Sequence, residues 1–108
     1  MEPVDIDTPR GAPEVFAKLT LERPDLEHRF GLRFTPVLND ISPTVMALAR
    51  LSTGTVVGFA KVQLDPSPGI ELVQFDRREP RDTLTEVLDD TGLTPAQVSW
   101  LLPPRDVS

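Results

Sequence analysis

His28 is the only histidine of the chain, and a side chain that titrates near neutrality is the first candidate for proton transfer. General acid–base work needs a partner held within hydrogen-bond reach. Around His28 the sequence alternates, with Leu26, His28, Phe30, Leu32 and Phe34 set against Glu27, Arg29, Gly31, Arg33 and Thr35. That period places the imidazole on the apolar face of a strand, half-buried and without a catalytic partner. Cysteine and tyrosine are both absent, which excludes thiolate nucleophiles, disulfides and Cys-ligated metals. Gly54-Thr-Val-Val-Gly58 spaces two glycines inside a hairpin pattern, not between a strand and a helix, so it cradles no phosphate. No P-loop, G-x-S-x-G or H-E-x-x-H string occurs. These residues point away from an enzyme, and they imply no cofactor and no metal.

The side chains that remain suit recognition. Trp100 is the only tryptophan, and it falls off the stripe formed by Val98, Leu101 and Leu102, as an interface anchor would. Gln97 lies beside it in sequence. Asp89 and Asp90 sit near a helix C-terminus, where the dipole disfavours acids slightly; a cationic partner would offset that cost. Eleven basic and 17 acidic residues leave a net charge of −6, which opposes phosphate backbones and anionic membranes and favours a basic protein partner. No apolar run approaches the ~18 residues of a membrane span. The acidic first residues lack the apolar core of a signal peptide, so a cytoplasmic location is expected.

The elements that must position these residues follow from periodicity. Residues 44–65 read as a hairpin apolar on both faces, turning at Ser52-Thr53-Gly54. Gly54 takes the left-handed position and Leu51 closes against Thr55, because β-branched Thr53 resists positive φ. Met46, Leu48, Val56, Gly58 and Ala60 share one face, and Val45, Ala47, Ala49, Val57 and Phe59 the other. Both faces need a cover. Strands are expected near 15–22, 27–35, 44–52, 55–65 and 69–76, and helices near 82–91 and 94–102. The expected fold is therefore α+β: a five-stranded antiparallel meander followed by a C-terminal pair of short helices. Residues 1–13 read as a mobile tail, 14–102 as one domain and 103–108 as a second tail. The helix pair covers one sheet face; the first hairpin or a second copy of the chain covers the other.

The helix pair carries strong boundary signals: capping boxes at Thr83/Glu86 and Thr94/Gln97, Pro95 at a first helical position, and Gly92 followed by Leu93 at a C-terminus. The string 83–102 resembles the helix-turn-helix of lactose-repressor-type regulators at Leu84, Val87, Gly92, Leu93, Thr94, Val98, Ser99 and Leu101. The resemblance implies that 94–102 enters a major groove, with Pro95, Ala96, Gln97 and Ser99 near bases. Arg77, Arg78, Arg81 and Arg105 would then reach phosphates, and Thr94 joins Gln97 and Ser99 among the nucleic-acid-binding positions. Within the string itself Glu86, Asp89 and Asp90 are the only charges. The favoured expectation is a non-catalytic protein-interaction module with an acidic surface, of the kind found in immunity proteins, antitoxins, inhibitors and accessory subunits. A duplex-binding regulator is the alternative.

Overall fold

A hairpin with two apolar faces stands at the centre of the fold, and each face is covered from within the chain. The computed structural model describes residues 1–8, 11–37, 43–64 and 66–104. In chain order these form β1 (Glu2–Val4), β2 (Glu14–Leu19), α1 (Arg23–Phe30), β3 (Thr35–Val37), β4 (Thr44–Arg50), β5 (Val56–Val62), β6 (Ile70–Gln74), α2 (Pro80–Thr91), a 3-10 turn at Pro95–Gln97, and β7 (Val98–Leu101). Among the described residues the seven strands make one antiparallel sheet in the order β1-β4-β5-β6-β2-β7, with β3 also paired to β4.

The α+β class and the strands β2, β4, β5 and β6 agree with the sequence pattern. The central hairpin agrees in register as well. Arg50 pairs with Val56, the Leu51 N–H donates to the Thr55 carbonyl at 2.8 Å, and Gly54 has φ 95°. The two faces separate as the alternation requires. Val45, Ala47, Ala49, Val57 and Phe59 lie in the larger core with Leu26 of α1 and Leu84 and Val87 of α2. Met46, Leu48 and Ala60 lie in a second core with Val73 and Phe75.

The simple meander is corrected in three places. Residues 27–35 do not form a strand. Pro24 in the first turn, the Glu22 N–H bonded to Asp25 Oδ2 at 3.1 Å, and Gly31 at φ 67° start and stop a helix that outweighs the two-residue alternation. His28 accordingly lies exposed in the last turn of α1, not half-buried on a sheet. The second helix of the pair, expected at 94–102, is a single 3-10 turn followed by a strand. There is no helical hairpin, and α2 covers the sheet with α1 in place of that pair. Finally, β2 does not pair with the segment after it. It fits between β6 and β7.

Residues 2–4, expected within a tail, pair with β4, and the second core is closed from this end of the chain. Val4 and Ile6 pack on it, and a Cβ on Gly11 would lie 2.2 Å from the Phe75 carbonyl oxygen. The backbone at residue 11 thus approaches the edge of that core as only glycine allows. Of the two covers expected for this face, the first hairpin does not fold over it; Val4 and Ile6 of this N-terminal segment pack there.

Candidate functional site: an open sheet edge

Two polar clusters among the described residues hold parts of the fold together. Asp90 of α2 accepts the Ser52 N–H at 3.0 Å and the Ser52 hydroxyl, and the Met1 α-amino group lies 2.9 Å from Asp90 Oδ2. Glu86, one turn earlier, accepts from the Thr53 hydroxyl, from the Thr55 hydroxyl at 2.9 Å, and pairs with the Arg78 guanidinium. The β4–β5 turn is therefore clasped onto α2. The Arg78 hydrogen bond holds the Glu86 carboxyl below its usual range, and the Ser52 hydrogen bond followed by the Met1 ammonium does the same for Asp90. Underneath, the fully buried Thr83 hydroxyl donates to Gln74 Oε1 at 2.7 Å, and Gln74 Nε2 donates to Glu14 Oε1 at 2.8 Å and to the Arg78 carbonyl at 2.9 Å. The Thr83/Glu86 capping box is not formed, because α2 starts earlier, at Pro80 with Glu79 as its N-cap, which places Thr83 inside the helix.

Asp90 and Arg78, two of the residues singled out for partner or phosphate binding, are consumed by the clasp. Thr94 and Gln97 cap the 3-10 turn, where the Thr94 N–H donates to Gln97 Oε1 at 3.0 Å. Asp89, Arg77 and Arg81 are exposed, Arg77 at φ 53° in the reversal that aims Arg78 at Glu86. Arg105 lies outside the described residues. The recognition-helix geometry implied by the helix-turn-helix resemblance is overturned, since Ser99 sits in a strand and Gln97 ends a 3-10 turn.

Trp100 and Ser99 remain, and their setting is β7. This strand pairs only with β2, so its outer edge is open among the described residues. Val98 lies opposite Leu19, Trp100 opposite Lys18 and Leu101 opposite Ala17, which leaves Ser99 as the extra residue of a bulge. Directly opposed residues share a face. Val98 and Leu101 therefore point to the helix-covered core, and both pack against it. Trp100 points the other way, in a row that continues through Lys18, Glu71, Ala60 and Met46. It is 42% exposed.

The two edges of the sheet are built differently. At the far edge β1 and β3 are three residues each, and each carries a central proline, Pro3 and Pro36. A proline there removes a free N–H and blunts the edge against strand addition. At the β7 edge the run 92–102 contains no charged residue, in a chain that is 26% charged, and no proline falls inside the strand. Between β1 and β3 the break in the far edge leaves a cleft of about 560 Å³ lined by Asp5, Arg33 and Thr35 among others. Asp5 Oδ1 there is bonded to the Asp7 N–H at 2.9 Å and serves its own turn. Among the described residues no group of three His, Asp or Glu is placed to hold a metal ion. Among the described residues no helix is long and apolar enough to cross a membrane. The β7 edge went unrecognised in the sequence, although the uncharged run between Pro95 and Pro103 was its signal.

Comparison with protein-family models, with curated proteins and with solved structures returned no match.

Proposed function

We propose that this chain is a non-catalytic protein-interaction module that receives its partner along the outer edge of β7, with Trp100 as the apolar anchor. One observation carries the reading: of the two sheet edges, one is blunted by prolines and the other is uncharged beside an exposed tryptophan. An edge strand without charge or proline is a template for pairing with another chain. A half-exposed Trp at such an edge has the character of an interface hot spot. The Ser99 bulge shortens the regular register, so the partner engages a brief stretch and gains most from the indole.

The test is comparative capture. Wild type, Trp100→Ala and Ser99→Pro are immobilised and challenged with extract of the native cell, and bound proteins are identified by mass spectrometry. A protein retained by wild type and lost from both variants, with unchanged circular dichroism, supports the reading. Binding of one metabolite stoichiometrically, with no protein retained, overturns it.

A further inference from the structure

We infer that the occupant of the β7 edge is an extended, basic-flanked segment of another protein, not a second copy of this chain. The inference rests on the reading of β7 as the docking edge. Its ground is charge. The strand itself is neutral, so it attracts no partner by sign, but its surroundings are acidic. Asp89 precedes the uncharged run by three residues, and it is exposed at the end of α2. The Thr20 N–H donates to the Gln97 carbonyl at 2.8 Å, which ties the start of β7 to the chain just before Glu22 and Asp25 at the start of α1. The nearby Arg23 is matched by Glu27 at 3.3 Å, and Lys18 lies opposite Glu71. A second copy brings another net charge of −6 to the same place, whereas a cationic flank is steered in. The centre of the segment is apolar on both sides: one side meets Trp100, and the other continues the face of Val98 and Leu101.

The indole of Trp100 is the only strong fluorophore, because the chain has no tyrosine and no other tryptophan. It reports directly on the edge. Two synthetic peptides are titrated, Lys-Lys-Val-Ile-Val-Ile-Val-Lys-Lys and the same centre flanked by glutamates. The lysine-flanked peptide is expected to blue-shift the emission and bind about tenfold tighter or better at roughly 50 mM salt, with the gap closing at roughly 500 mM. Calorimetry with Ser99→Pro, checked for fold by circular dichroism, should show that binding lost. Equal binding of both peptides overturns the charge inference while leaving the docking edge in place. No binding by either, with a doubled mass in sedimentation and a shielded indole, makes a second copy the occupant and overturns the inference. No binding with a monomeric mass overturns both the inference and the docking reading.

Discussion

Replacing Thr83 by valine tests whether the buried amide of Gln74 governs the junction of sheet and helix. Both residues are fully buried, and the Thr83 hydroxyl is the donor to Gln74 Oε1 at 2.7 Å. Valine keeps the shape and removes the donor. Gln74 Nε2 keeps its two acceptors, so the side chain stays anchored and Oε1 is left dry and unpaired. Stranding a buried acceptor costs about 1–3 kcal/mol. At about 2 kcal/mol a domain of this size loses roughly 10 °C in Tm. Thr83→Ser keeps the donor and loses one methyl, which costs about 0.8 kcal/mol by the burial scale, with a small cavity contribution. Urea unfolding monitored by Trp100 emission gives both values. Valine more stable than serine, or within about 0.5 kcal/mol of wild type, refutes the argument, because apolar packing would then outweigh the hydrogen bond at this position.

Gly69→Ala should destabilise by more than about 2 kcal/mol in the same assay, since residue 69 has φ 101° and an added Cβ would lie 2.3 Å from the Leu19 carbonyl oxygen. Acid should weaken the clasp: with the Glu86 and Asp90 carboxyls held low in the folded state, their stabilisation is full above the ordinary carboxylate range and is lost as pH falls through that range toward the folded values. The Glu86→Gln/Asp90→Asn double variant should start less stable at neutral pH and show a flatter urea midpoint between about pH 5 and pH 3. Random duplex DNA should show no mobility shift with this protein at about 50 mM salt; a sequence-specific shift abolished by Gln97→Ala would restore the regulator alternative.

Where local pattern and burial agreed, the sequence was legible. The register and turn of the β4–β5 hairpin are legible because two alternating faces and one glycine leave a single register, although the strands are shorter than the expected 44–52 and 55–65. Two segments misled for physical reasons. In β7 the extra residue Ser99 shifts the alternation by one, so Val98 and Leu101 reach the same face three positions apart. Three is also the spacing of a helix stripe, and the Thr94/Gln97 box pointed to the same answer. The box is real, but it caps only one turn. In 26–34 the alternation of leucines and phenylalanines was genuine, yet Pro24, Asp25 and Gly31 fix a helix from its ends, and only Leu26 of that helix is fully buried. Trp100 was placed off the core stripe correctly under the wrong element, because both geometries expel it. The uncharged run 92–102 marks the segment, but its place at the end of the sheet is set by pairings between distant segments, which no local pattern carries.

The position of β2 between β6 and β7 also sets an order of assembly. Its neighbours arrive late: the Glu14–Gln74 hydrogen bond spans 60 residues, and the Ser99–Lys18 hydrogen bond spans 81. Helix α1 and the β3–β4 and β4–β5 pairs close locally, so during synthesis they can form while β2, already made, has nothing to pair with. β6 must add to the hairpin before β2 has a ladder, and β7 completes β2 last. Such non-local closure places folding in the slow range, roughly milliseconds to seconds. Throughout that interval β2, with Phe16, Ala17 and Leu19 unburied, is the stretch most exposed to wrong pairing.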